Sequence, residues 1–204
     1  MSSPFVLQLK NRRCLVIGGG TVAERKINHL VTEGAAVTVV SPDLTEGLRQ
    51  HRENIDYVQT ALAESDVNQE SCPRLNLQWR DFFLVVIATD SFQLNETFAK
   101  KLGQFISLIN VVDNQELSTF FFPSVVDRGL LKIAVTTSGA SPILAKKIKK
   151  HLLHSIGPEY REYVEQLEII RKLLHENEPN ARKRRALLEA ITHFPAPHSD
   201  KGNR

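Results

Sequence analysis

A strand that runs through a glycine turn straight into a helix leaves a chain few choices of architecture, and residues 14–32 read that way. Cys14 to Ile17 is an apolar run with the length of a buried strand. Gly18, Gly19 and Gly20 follow. Apolar residues then recur at Val22, Ala23, Ile27, Leu30 and Val31, which is helical spacing. Gly18, Gly20 and Ala23 fit G-x-G-x-x-A. In that pattern the first glycine makes the tight turn, the second lets a pyrophosphate approach the backbone, and the small third residue lets helix and strand pack closely. The free N–H groups and positive dipole end of the helix then face the anion. A bare glycine pattern also serves ligand-free strand–helix turns. The flanking strand and helix are what turn it into a dinucleotide-site hypothesis.

Downstream, strand and helix signals alternate over about 110 residues, which predicts a parallel sheet with helices on both faces. Phe5 to Leu9 reads as a short edge strand or a lead-in. Ala36 to Val40 is the second strand, Thr45 to His51 a short helix, and Ile55 to Gln59 the third strand. Residues 60–80 are polar and irregular, with Pro73 as a breaker. Phe82 to Ala88 is the strongest strand signal and ends at Ala88-Thr89-Asp90. A helix over about 93–102 and a strand from Ile106 to Val112, ending at Asp113, complete the set. An acidic residue some 20 positions after the glycines binds the ribose hydroxyls in many NAD sites. Here the second strand ends in Ser41-Pro42-Asp43, so Ser41 or Asp43 is the expected acceptor. No arginine stands at that tip to favour a 2′-phosphate, which points to NAD rather than NADP.

Past residue 113 the organisation changes. Ser118 to Phe122 is extended and aromatic, Asp127-Arg128-Gly129 is a turn signal, and Leu130 to Thr136 is another strand, so strand–turn–strand is expected. Ser141 and Pro142 then suit the cap and first residue of a helix running to about Ser155. Helices over about 159–175 and 180–192 follow. The expected domains are therefore 1–113, 114–155 and 156–204. Charge divides along the same line. Residues 1–113 carry 11 Lys/Arg against 13 Asp/Glu, and residues 114–204 carry 15 against 10. A basic second part suits an anionic ligand, and equally a solvated helix face.

Apolar residues make up 42% and charged residues 24% of the 204, ordinary for a water-soluble globular chain. No apolar run is long enough to span a membrane, and the first ten residues lack the features of a signal peptide. Two cysteines without zinc spacing indicate neither a metal site nor a disulfide framework, and the cytoplasm is the expected compartment. His151 and His154 stand three apart with no third ligand beside them, so no metal site is assigned. The Arg182–Arg185 run is read as a helix face rather than a nucleic-acid contact. Asp113, ending a strand on the cofactor side, could take a proton while a nicotinamide takes a hydride. An aspartate there could equally cap a turn. Ser138-Gly139-Ala140-Ser141-Pro142 joins hydroxyls to a helix N-terminus, which suits carboxylate or phosphate and also an ordinary capped helix.

Together, Gly18 to Lys26, Ala88-Thr89-Asp90, Asn110-Val111-Val112-Asp113 and the stretch from Phe121-Phe122-Pro123-Ser124 through Ser138-Gly139-Ala140-Ser141-Pro142 resemble the precorrin-2 dehydrogenase family, which includes the N-terminal half of bacterial sirohaem synthase. The resemblance covers about residues 5–155. It implies a Rossmann-type doubly wound parallel sheet, a small α+β dimerisation region and a C-terminal helical domain. It implies oxidation of precorrin-2 to sirohydrochlorin by NAD, with ferrous iron inserted afterwards in some members, in a homodimer. Asp113 matches the family's proposed catalytic aspartate. The cofactor set matched or read from position is Gly18, Gly20, Thr21, Val22, Ala23, Ser41, Pro42, Asp43, Thr89 and Asp90. Ser124, Arg128, Thr137, Ser138, Gly139, Ser141 and Lys146 are candidates for the eight carboxylates of precorrin-2. The family's bifunctional members continue into a methyltransferase, which a chain of 204 residues is expected to lack. The competing expectation is a nucleotide-sensing regulatory module that binds NAD without turnover.

Overall fold

The computed structural model describes residues 3–112 and 114–195. They form two compact units, Ser3–Phe121 and the residues from Phe122 onward. The first unit thus extends past the expected boundary at 113.

Five strands make the sheet of the first unit: β1 (Arg13–Ile17), β2 (Ala36–Ser41), β3 (Asp56–Gln59), β6 (Leu84–Ile87) and β7 (Leu108–Val111). Their order is β3-β2-β1-β6-β7 and every pairing is parallel, with Ile17 registered against Val40 on one side and Ile87 on the other. Because side chains alternate along a strand, Leu15, Ile17, Val85, Ile87, Ile109 and Val111 share one face, where they pack with Phe98, Leu102 and Trp79. Helix α3 (Phe92–Leu102) supplies two of those partners. Helix α1 (Thr21–Thr32) buries Ala23, Ile27 and Leu30 against β1 and β2. It ends as expected at Gly34, whose N–H donates to Val31 O (2.9 Å) while that of Ala35 donates to Leu30 O (3.0 Å).

One expectation shifts, and two loosely read stretches take a definite form. Residues 5–9 form no strand; Phe5 and Val6 are 83% and 94% exposed. The irregular stretch 60–80 has, in place of the usual crossover helix, 3₁₀ turns and a two-residue hairpin, β4 (Ser71–Cys72) with β5 (Leu77–Gln78). Its apolar residues Leu62, Val67, Leu77 and Trp79 are buried in the core. Polar bonds hold its shape. The Asp66 carboxylate accepts from Ala63 N (2.8 Å) and Arg74 Nη2 (2.5 Å), and Arg74 also donates to Thr60 Oγ1 (3.1 Å). Finally, Ser118–Phe120 forms no hairpin strand but lines the free edge of β7. Ile109 N–H donates to Thr119 Oγ1 (2.8 Å), and Val111 N–H to Ser118 Oγ (2.9 Å). Those hydroxyls close an edge that would otherwise stay unpaired.

In the second unit the hairpin is β8 (Ser124–Arg128) with β9 (Leu131–Val135), so its first strand begins after Pro123. Proline has no N–H to give a ladder. Gly129, at φ +72°, supplies the left-handed first position of the two-residue turn. Helices α4 (Pro142–Ser155), α5 (Glu159–Asn177) and α6 (Ala181–Ile191) follow, with α4 against both hairpin strands and α5 against β9. A short helix, α2 (Glu46–Gln50), belongs to the first unit and follows β2. No helix of the described residues is long and apolar enough to cross a membrane.

Candidate active site

The sheet order reverses between β1 and β6, where an open parallel sheet binds ligands at the carboxyl ends of its strands. A cavity of about 530 Å³ lies there, lined by Gly18–Gly20 after β1, Ser41–Thr45 after β2 and Ala88–Ser91 after β6. Its size is that of an ordinary ligand cleft, and Ile17, Val40, Leu62 and Phe98 contribute apolar lining.

The three glycines have three different reasons. Gly18 sits at φ +118°, and a Cβ there would fall 2.2 Å from Ala88 O, so the ends of β1 and β6 are in backbone contact. A Cβ on Gly19 would fall 2.1 Å from Asp43 O, because the loop after β2 folds over the turn and Thr45 N–H donates to Gly19 O (3.0 Å). A Cβ on Gly20 would meet nothing within 4 Å. Gly20 is also the N-cap of α1 and brings no side chain to cap it. The first bond of the α1 ladder is Glu24 N–H to Gly20 O (2.9 Å), so the N–H groups of Thr21, Val22 and Ala23 precede the ladder, although none of the three residues is among those that line the cavity. These residues fit the diphosphate of a dinucleotide. Ala23 itself is fully buried, as its packing role requires.

The two ribose candidates separate. Ser41 is buried and its hydroxyl donates to Asp43 O (2.7 Å), so it braces the loop. Asp43 keeps an exposed carboxylate and, with Pro42, lines the cavity. Its Oδ1 accepts from Leu44 N (2.9 Å) and from Arg49 Nη2. The Leu44 amide first and the Arg49 guanidinium second hold this carboxyl below the usual range. Arg49 corrects the expectation that no arginine reaches the tip of β2: it does so from α2, six residues on. Thr45 makes this possible as the N-cap of α2, accepting from Leu48 N (3.3 Å).

At the tip of β6, Asn95 was not singled out from the sequence, yet it fixes Thr89. Asn95 is buried; its Oδ1 accepts from Thr89 N (3.1 Å) and Thr89 Oγ1 (2.6 Å), and its Nδ2 donates to Thr89 O (3.0 Å). A polar residue six positions into the next segment was the only available signal. Asp90 is exposed on the cavity rim. Val112 N–H donates to Ile87 O (2.9 Å) at the carboxyl end of the sheet; Asp113 lies outside the described residues.

The substrate candidates lie in the second unit. Thr137, Ser138, Gly139 and Ser141 build one tight loop, with Ser138 at φ +51° and Gly139 at +84°. Ser141 N–H donates to Thr137 Oγ1 (3.0 Å), and Ser141 Oγ accepts from Leu144 N (3.2 Å) as the cap of α4. Lys146 is exposed on α4, and Ser124 opens β8 half-buried. Arg128 departs from expectation. Its Nε donates to Ile156 O and Gly157 O (both 2.9 Å), so its guanidinium serves the end of α4. Among the described residues no group of three or more His, Cys, Asp or Glu could hold a metal ion.

A parallel sheet with this reversal, a glycine turn and an open helix N-terminus defines a dinucleotide-binding domain of the Rossmann type. The chain matches an NAD(P)-binding family model over residues 5–124 and the sirohaem biosynthesis protein central family model over residues 128–155. Precorrin-2 dehydrogenase of Priestia megaterium is 33% identical over 187 residues, covering 91% of this chain and 87% of that protein. The siroheme synthases of Methylobacillus flagellatus and Thioalkalivibrio sulfidiphilus are 34% and 32% identical over 80% and 94% of this chain, but it spans only 35% and 37% of their lengths. The solved structure of SirC, precorrin-2 dehydrogenase, superposes with a TM-score of 0.76 at 29% identity, over 94% of this chain and 90% of that one. The chain belongs to the family of precorrin-2 dehydrogenases and the corresponding part of siroheme synthases.

Proposed function

We propose that this chain is an NAD-dependent dehydrogenase that oxidises precorrin-2 to sirohydrochlorin. The observation that carries the reading is the open N-terminus of α1 above Gly20, in a chain that matches a precorrin-2 dehydrogenase over nearly its whole length. When bound, NAD supplies the hydride acceptor. The amides at Thr21, Val22 and Ala23 hold the diphosphate, and Asp43 accepts from the ribose hydroxyls. Thr89, fixed by Asn95, and Asp90 border the same cavity at the end of β6. Two hydrogens leave the macrocycle, one as hydride and one as a proton, and Asp113 is the group proposed to take the proton.

The substrate's carboxylates are assigned to the second unit, to Ser124, Thr137, Ser138, Gly139, Ser141 and Lys146. The excess of 15 Lys/Arg over 10 Asp/Glu in residues 114–204 supports that assignment, since such a field attracts a polyanion. The working form is proposed to be a cytoplasmic homodimer. The exposed Ile143, Leu144 and Ile148 of α4 favour a second copy as their cover.

The test is anaerobic incubation of the chain, collected at its dimer mass, with precorrin-2 and NAD. Sirohydrochlorin and NADH absorbance should rise together, and should not in Asp113→Ala. Ferrous or cobaltous ion added to the same cuvette then asks for metal insertion. Binding of NAD without turnover would instead favour the sensing module.

A further inference from the structure

Arg49, bonded to the cavity-lining Asp43, has no part in the dehydrogenase reading. Three bonds fix it there. Its own N–H donates to Thr45 O (3.0 Å), its Nε donates to Leu44 O (3.0 Å), and its Nη2 meets Asp43 Oδ1. The pair is open to solvent, with the Arg49 side chain 53% and the Asp43 side chain 73% exposed. A second guanidinium, Arg52, lies 5.3 Å from the centre of the Tyr57 ring on the neighbouring strand. Burial first, and the Asp43 charge second, hold the Tyr57 hydroxyl above its usual range. The tip of β2 therefore carries a carboxylate paired with a guanidinium, where a bare acid is expected of a site that accepts only NAD.

We propose that Arg49 sets the choice between NAD and NADP at this site, acting through Asp43. The proposal rests on the dinucleotide reading of the cavity. The Asp43 carboxylate accepts from ribose hydroxyls and repels a 2′-phosphate. Arg49 offsets part of that repulsion and is itself a guanidinium of the kind that forks onto phosphate. The wild-type chain accordingly prefers NAD by a modest margin. Removing the acid releases Arg49 to the 2′-phosphate, and removing Arg49 leaves the acid unopposed.

Fluorescence titration with NADH and with NADPH tests this without the tetrapyrrole, so it is independent of turnover. Asp43→Asn should tighten NADPH binding by about tenfold, the worth of one hydrogen bond to a charged group. Arg49→Met should weaken NADPH by about tenfold and NADH by clearly less. Arg49→Lys, which keeps the charge, should recover part of the NADPH affinity. In the double variant the gain from Asp43→Asn should vanish, since the two residues act as a coupled pair. A melting temperature close to that of wild type certifies that each variant is folded. Equal weakening of both nucleotides by Arg49→Met, or no NADPH gain in Asp43→Asn, would overturn the proposal. A wild-type chain that binds neither nucleotide would overturn the cofactor reading itself, a result separable from the first two.

Discussion

At the scale of single residues, the glycine turn makes two opposite demands that substitution can separate. Gly18→Ala forces a side chain onto a φ of +118° with its Cβ 2.2 Å from a backbone oxygen. Strain and overpacking together should cost about 3 kcal/mol or more, read as an earlier urea midpoint. Gly20→Val enters open space, so stability should fall by no more than about 1 kcal/mol for the poorer N-cap. NADH binding should nevertheless weaken at least about tenfold as the branched side chain blocks the amides. A Gly20→Val chain that binds NADH as well as wild type would remove the diphosphate from this turn. The glycines, Ala23 and Asp43 were legible because their reasons lie within a few residues of each other. Arg49 and Asn95 were not. Each acts six positions from its partner, through a helix start whose direction no local pattern supplies.

At the scale of elements, periodicity revealed all five parallel strands and the long helices, and failed where backbone partners decide. Residues 5–9 have a strand's composition but no neighbour to pair with. Ser118–Phe120 reads as extended, yet its partners are the edge of β7, and Pro123 delays the hairpin to Ser124. Stretch 60–81 buries a tryptophan without any period, because Arg74 and Asp66 fix the turns. The same lesson applies to Arg128, chosen from its sign and placed by the structure on the carbonyls just past the end of α4. Arg128→Ala should therefore lower stability by about 1–3 kcal/mol through orphaned helix-end carbonyls, with NADH affinity unchanged. Calorimetry beside a KM for precorrin-2 distinguishes the roles. A raised KM at unaltered melting temperature would return Arg128 to the substrate.

At the scale of the whole molecule, the chain divides its work between a parallel sheet that carries the cofactor cavity and a basic hairpin-and-helix unit. The rigidity of the sheet can be read through one atom. Cys14 is fully buried in β1, the central strand, with β2 on one side and β6 on the other. Burial pushes its thiol from 9.0 up to about 11. An unfolded chain releases that proton near 9.0, while the folded chain holds it until about 11. Between those values the unfolded state binds fewer protons, so stability falls as pH rises, and below the window the contribution is present in full. The melting temperature should therefore show no Cys14-dependent slope up to about pH 8.5 and a decline from 9.0 toward 11. Lysines and tyrosines also titrate there, so the decisive quantity is the difference from Cys14→Ala. That variant should begin less stable because of its cavity, and its decline across the window should be shallower. Parallel slopes would mean that the sheet opens at β1 without global unfolding, letting the thiol ionise within the native state.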